Sequence, residues 1–360
     1  MMKVKYFDLQ RQYAKIGSEI EKSTIEILRS GNYVSGKRVK EFEEKFAEHC
    51  GSQYCCAVNT GTSALDLAIR YFNFKKGSRI LTQPNSFIAT TEAIIYNGLV
   101  PDFIDVDDNG LLDVNLVPKN DYRIVGTIPV CLYGNPFDTR KLENNTDIIL
   151  DACQSHGAKI NGMDITSFAD VTCFSFYPGK NLGACGESGA LVTDNKDIYD
   201  FAIMMRSHGQ NKKYYHSEIG YNYRMDEIQA AILTIKLRYL EEWTELRIKK
   251  AKRYNKNLSG NSKIRTLQVG PNNRCVYHIF PIFIESRDLI AEKLNSAGID
   301  TGIHYPIPIH LQEASKDLGY QDGYFPKAEE QSLQELSLPI YPEITNDEVD
   351  YVCEKLLEIV

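Results

Sequence analysis

The chain has 360 residues, 43% apolar and 25% charged, a balance that suits one large folded unit plus a smaller one rather than a disordered chain. A formal net charge of −7 leaves no excess of Lys and Arg to replace phosphate counterions, which argues against a protein that tracks a nucleic-acid backbone. No apolar run approaches a membrane span, Met1 to Asp8 lacks a signal-peptide core, and the nine scattered Cys contain no C-x-x-C pair, so a cytoplasmic protein without membrane partner, disulfides or metal cluster is expected.

Tyr13, Ile16, Ile20 and Ile27 predict an amphipathic helix over 13–29 that stops at Gly31. A second helix carries Val39, Phe42 and Phe46 on one face, and Tyr54 to Val58 reads as a strand. Asn59-Thr60-Gly61-Thr62-Ser63 then opens a helix marked by Leu65, Ala68, Ile69 and Phe72. Small residues there expose backbone N–H groups to an anion, with Gly61 permitting close approach and Thr62 offering a hydroxyl; simple N-capping by Thr60 or Thr62 explains the same residues. Strands follow at 79–82, 100–106, within 122–132, at 147–151, 171–177 and 190–193. They alternate with helices over roughly the first half, which predicts an α/β fold with a mostly parallel sheet. Phe87, at a strand-to-helix junction, either stacks on a planar ring or staples the helix to the core.

Residues 207–221 read as a long polar loop, and a strong helix is expected from Asn222 onward. Its continuation holds Arg247, Lys249, Lys250, Lys252 and Arg253, expected as a solvated face. The pattern changes near residue 246, so a large domain over 1–245 and a small C-terminal α+β domain over 246–360 are expected. The small unit holds a strand over 276–284, a helix over 287–297, the Pro-stiffened stretch Tyr305 to His310 and a last helix near 347–359.

Two residues carry the chemistry. Lys180 leaves the strand ending at Phe176-Tyr177, at the edge of a Gly-rich turn, where drying would lower its pKa and make it a nucleophile toward an aldehyde. Asp151 ends another strand of the same sheet and is placed to face a protonated pyridine nitrogen. An amine for the aldehyde and a carboxylate for the ring nitrogen are two of the controls pyridoxal phosphate needs.

The chain resembles the DegT/DnrJ/EryC1/StrS sugar aminotransferases, fold-type-I pyridoxal 5'-phosphate enzymes. The resemblance rests on Thr60-Gly61-Thr62-Ser63-Ala64-Leu65, Asn85-Ser86-Phe87-Ile88-Ala89-Thr90, Asp151-Ala152-Cys153-Gln154-Ser155-His156-Gly157, Ser175 to Gly183, Gly220 to Ala231, and Gly302-Ile303-His304-Tyr305-Pro306. It implies that Lys180 is the Schiff-base lysine, Asp151 the ring-nitrogen partner and Gln154 the phenolate partner. It further implies that Gly61, Thr62 and Ser175 contact the phosphate, that Phe87 stacks on the ring, and that Asn222 reaches the neighbouring subunit's phosphate in a homodimer with shared sites. The run Tyr-Pro-Gly-Lys-Asn-Leu-Gly-Ala is similar to enzymes that aminate the third carbon of dTDP-linked 3-oxo-6-deoxyhexoses with glutamate as donor, in pathways to lipopolysaccharide O-antigen or S-layer glycans. Tyr177, Tyr305 and His310 are the substrate candidates, each with packing as the alternative, and His156 either contacts substrate or packs. Within the family, a 4-aminotransferase and an aminotransferase of UDP-linked N-acetyl keto-sugars are the alternatives; a regulator that binds cofactor without turnover, and a desulfurase using Cys185, are the competing classes.

Overall fold

The computed structural model describes residues 2–143 and 146–360. Seven strands, β1 (Tyr54–Val58), β2 (Arg79–Thr82), β3 (Val100–Phe103), β4 (Ile124–Thr127), β5 (Asp147–Asp151), β6 (Val171–Ser175) and β7 (Gly189–Thr193), form one sheet in the order β1-β7-β6-β5-β4-β2-β3. Pairings among β2 to β6 are parallel, whereas β7 runs antiparallel to both β1 and β6. The reversed strand was not separable in the sequence, and it matters. An antiparallel partner needs no crossover helix, so a tight connection over 176–188 suffices, and Lys180 lies in it.

Helices α1 (Leu9–Ser30), α2 (Lys37–Cys50), α3 (Gly61–Tyr71), α4 (Ala89–Tyr96), α5 (Lys196–Met205), α6 (Glu227–Leu237) and α7 (Leu240–Leu258) follow the chain order. One core cluster joins Phe42 and Phe46 of α2 to Phe174 of β6, Phe176 and Leu233 of α6. Another joins Leu65 and Ile69 of α3 to Ile94 of α4 and Ala202 of α5. Apolar helix stripes on both faces bury the sheet, as a mostly parallel sheet requires.

A second, three-stranded antiparallel sheet contains β8 (Arg265–Thr266), β9 (Phe280–Phe283) and β10 (Glu335–Leu338), in that order. With α8 (Arg287–Ser296) and α10 (Asn346–Ile359) it encloses Phe280, Ile282, Leu294, Leu336, Val352 and Leu356. Strand β10 and helix α9 (Pro326–Gln334) had no counterpart in the sequence reading. Helix α7 crosses residue 245: Leu240 packs in the first core, Ala251, Tyr254 and Leu258 in the second. Val4 also belongs to this second core.

Three expectations are corrected. Helix α6 starts at Glu227 instead of Asn222, because Asp226 caps it by accepting from the Gln229 N–H at 2.8 Å. Asn222 and Arg224 sit in extended backbone, bridged to Ser207 and Val58. The polar loop contains a small hairpin, Gln210–Lys212 with Tyr215–His216. Arg247 is not on a solvated face: it is 6% exposed.

Candidate active site

The ends of β5 and β6, the N-terminus of α3 and the segment around His304 and Tyr305 surround a cavity of about 660 Å³. Gly61, Thr62, Phe87, Asp151, Gln154, Ser175, Tyr177, Lys180 and Tyr305 all line it.

Lys180 is presented by the β6–β7 connection. Its N–H donates to the Tyr177 carbonyl at 2.8 Å, while Phe176 N–H donates to Ser188 O at 2.7 Å and Ala184 N–H to Phe176 O at 2.8 Å. Phe176 and Leu182 are fully buried and anchor the turn from below. Burial pushes the Lys180 ammonium below its ordinary pKa, with Cys153 and Asp151 opposing the shift. A neutral, nucleophilic amine is therefore reached at lower pH than for a surface lysine.

Asp151 is 5% exposed and held by two donors. Thr90 Oγ1 donates to Oδ2 at 2.7 Å and the Cys153 N–H donates to Oδ1 at 3.1 Å. Because β5 and β6 pair in parallel, with Asp151 opposite Cys173, the carboxylate and the Lys180 turn leave the same end of the sheet.

The helix start separates the two readings of residues 60–62. Thr60 is the N-cap, accepting from the Ser63 N–H at 3.0 Å, so Thr62 is left to line the cavity. Gly61 is required by space: a Cβ there would lie 2.8 Å from Ser175 Cβ and 3.1 Å from Cys153 Sγ. The bare backbone thus brings the α3 N-terminus against Ser175, and N–H groups and two hydroxyls meet where an anion is favoured. Gln154 has a fixed orientation. Its Oε1 accepts from the Tyr133 N–H at 2.6 Å, so its amide donors face Tyr305, whose hydroxyl is 3.5 Å away. Phe87 is 56% exposed, its ring 5.8 Å from that of Tyr305 and tilted by 43°.

Other expected residues lie elsewhere. His310 is buried away from the cavity, bonded through Nε2 to Glu329 at 2.9 Å and packed edge-on against Phe325 at 4.7 Å. The Ile309 N–H to Pro84 carbonyl bond of 2.7 Å turns the segment inward, and His310 does not line this cavity. His156 is fully buried between Phe174 and Phe176 and packs. Asn222 is exposed, outside this chain's cavity, its Oδ1 accepting from Arg224 at 2.7 Å. Cys185 is exposed and does not line the cavity.

The sequence reading missed Tyr6 and His278, took Arg247 for part of a solvated face, and quoted Thr90 and His304 only inside motifs; all five line the cavity. His304 Nδ1 pairs with Ser337 Oγ at 2.8 Å, and burial lowers its pKa to about 4.

An amine for an aldehyde, a carboxylate at the same end of the neighbouring strand, an anion cradle and an amide donor form one set, and that set fits pyridoxal phosphate. The fold and this site define a fold-type-I pyridoxal phosphate-dependent aminotransferase. Residues 14–357 match the DegT/DnrJ/EryC1/StrS aminotransferase family, and the chain belongs to it. Among its relatives, the dTDP-3-amino-3,4,6-trideoxy-α-D-glucose transaminase of Streptomyces venezuelae is 35% identical over 99% of this chain and 96% of that protein. The erythromycin biosynthesis sensory transduction protein EryC1 of Saccharopolyspora erythraea is also 35% identical, over 99% of both chains. A crystal structure of S. venezuelae DesV superposes with a TM-score of 0.97 at 34% identity, covering 100% of this chain and 99% of that one.

Proposed function

We propose that this aminotransferase moves an amino group from an amino acid, L-glutamate, to the third carbon of a dTDP-linked 3-oxo-6-deoxyhexose. The observation that carries the reading is the delivery of Lys180 and Asp151 into one cavity by neighbouring parallel strands. When bound, pyridoxal phosphate supplies an electron-withdrawing ring that lets the amino group pass between two carbonyl carbons. Lys180 is the amine that anchors the aldehyde and, once released, its Nζ is the general base that takes the proton from the donor's α-carbon and the general acid that gives it back. Asp151 faces the ring nitrogen, and Gln154 donates to the phenolate oxygen. Gly61, Thr62 and Ser175 hold the phosphate, and Phe87 covers the ring.

Tyr177, 52% exposed at the mouth, and Tyr305 position the sugar. Asn222, unused by its own chain's cavity, serves a partner's phosphate in a homodimer. The small C-terminal domain, taken from residue 246, supplies the wall that includes His278 and Tyr305. Nine unbridged thiols support a reducing, cytoplasmic setting, with the amino sugar passing to a surface glycan.

The test incubates holoenzyme and L-glutamate with dTDP- and UDP-linked keto-sugars and locates the new C–N bond by NMR. Amination at C3 of the dTDP sugar supports the reading. Amination at C4, or of UDP-linked N-acetyl sugars only, replaces it. Borohydride reduction followed by peptide mass spectrometry should place the cofactor on Lys180, and Lys180→Ala should lose turnover. The name of EryC1 favours a second reading, a cofactor-bound regulator. That reading predicts cofactor binding with no spectral change on adding glutamate.

A further inference from the structure

Arg247 stands apart from the other charged groups of the cavity. It lies on α7, is 6% exposed and lines the cavity beside Tyr6, His278 and Ile340. Its Nη1 donates to three backbone carbonyls, those of Ile340 at 2.8 Å, Tyr277 at 3.2 Å and His278 at 3.4 Å. These bonds fix the guanidinium plane. Its Nε is buried without a hydrogen-bond partner, and among the described residues Arg247 makes no ion pair. Glu343 and Tyr6 act on it electrostatically, and among the described residues neither hydrogen-bonds to it.

Buried guanidinium groups are normally paired, because an unpaired charge in a dry site is unfavourable. Carbonyls satisfy the donors of one nitrogen but bring no negative charge. Burial lowers the Arg247 pKa to about 10, which leaves it cationic at neutral pH. The other cation of the cavity, Lys180, is consumed as the covalent anchor in the proposed reaction. Nearby His278 gives no help: burial holds it well below its ordinary pKa, so it stays neutral.

We infer that the free edge of the Arg247 guanidinium is a carboxylate subsite, and that it takes a carboxylate of the amino-acid donor and of the 2-oxo acid formed from it. A planar fork held by its own backbone bonds suits a carboxylate, and such charge-assisted pairs are the stronger class of hydrogen bond. Arg247 lines the cavity beside Tyr6, His278 and Ile340, whereas the anion cradle is built by Gly61, Thr62 and Ser175, so the two anion sites use different residues. The inference rests on the transaminase reading, but its test does not depend on turnover.

The probe is glutarate, a dicarboxylate with no amino group to react, titrated calorimetrically into the pyridoxal phosphate holoenzyme. Wild type should bind glutarate, and the neutral glutaramide should bind at least tenfold more weakly. Arg247→Met should weaken glutarate at least tenfold and leave dTDP affinity within about threefold, and Arg247→Lys should retain part of the affinity. Because Arg247 also ties α7 to three carbonyls, Arg247→Met can fail to fold; the glutarate-against-glutaramide comparison in wild type then decides. Equal binding of the two probes, no glutarate binding in wild type, or unchanged glutarate binding in a folded Arg247→Met enzyme overturns the subsite. Glutarate binding through Arg247 in an enzyme that aminates no keto-sugar would instead overturn the proposed function and leave the subsite standing.

Discussion

Thr90 donates its hydroxyl to Asp151 Oδ2 at 2.7 Å, and both residues are buried. Helix α4 thereby orients a carboxylate delivered by β5, while the Cys153 N–H holds the other oxygen. The pair ties the start of a helix to the group proposed to face the cofactor's ring nitrogen. Thr90→Val keeps the shape and removes the donor. A hydrogen bond to a charged group contributes about 1.5–3 kcal/mol, so pyridoxal phosphate titrated into the apoenzyme should bind at least tenfold more weakly. Thr90→Ser, which keeps the hydroxyl, should stay within about threefold. Equal affinity for Thr90→Val and wild type would remove Thr90 from the site's machinery.

Gly61→Ala tests the cradle. The added Cβ meets Ser175 Cβ at 2.8 Å, Cys153 Sγ at 3.1 Å and Ser175 Cα at 3.2 Å, and the two Ser175 atoms cannot move without the backbone. Either α3 or the end of β6 must shift. Overpacking of this kind destabilises by about 1–3 kcal/mol, and the displaced helix start should weaken phosphate binding. The expected result is a lower urea midpoint together with loss of cofactor retention on gel filtration. A variant with wild-type cofactor content would show that close approach at Gly61 is not needed.

The proposed homodimer with shared sites makes a complementation prediction. On that reading Lys180→Ala removes the anchor of its own chain's cavity, whereas Asn222→Ala harms only the partner's. In a mixed dimer the Asn222→Ala chain keeps Lys180 and receives an intact Asn222 from the other chain. Two weakly active homodimers, unfolded and refolded together, should therefore recover activity toward about one quarter of the wild-type level, set by random pairing and one intact site per hybrid. No recovery from a mixture shown by mass spectrometry to contain hybrids would place both residues in one chain's site.

Much of this arrangement was legible in the sequence, for identifiable reasons. Strands β2 and β5 were read to the residue because short apolar runs bounded by turn residues have few alternatives. Asp151 and Lys180 stood out because the first ends such a run and the second follows one. Arg247 was lost in a charge run, yet Ala251, Tyr254 and Leu258 follow it at helical spacing and all are buried. The period placed it on the inner stripe, and its charge argued for the outer one. His310 went in the opposite direction, expected at the sugar site and found buried outside the cavity. A histidine in a Pro-rich segment reads as a loop ligand, and only the tertiary bond from Ile309 to Pro84 turns it into the core. Strand β10 was missed because Glu335 and Ser337 look solvent-facing, whereas both are buried beside His304.

His156 yields a prediction about pH and stability. It is fully buried between Phe174 and Phe176, and burial lowers its pKa from 6.5 to about 3, with the Lys180 charge adding to the shift. The native state keeps this imidazole neutral down to about pH 3, while the unfolded chain takes the proton near pH 6.5. The unfolded state binds more protons throughout that window, so stability is full above about pH 6.5 and falls on acidification. The slope is about 1.4 kcal/mol per pH unit for one proton, or about 2 kcal/mol between pH 6.5 and pH 5. His278 and His304 are also depressed by burial and add their own slopes. His156→Phe should therefore reduce, not abolish, the acid sensitivity. Urea unfolding at pH 7 and pH 5, at one protein concentration, should show the stability difference between the two pH values shrinking by about 2 kcal/mol in the variant. An unchanged difference would mean that His156 is protonated, or partnered, in the folded enzyme.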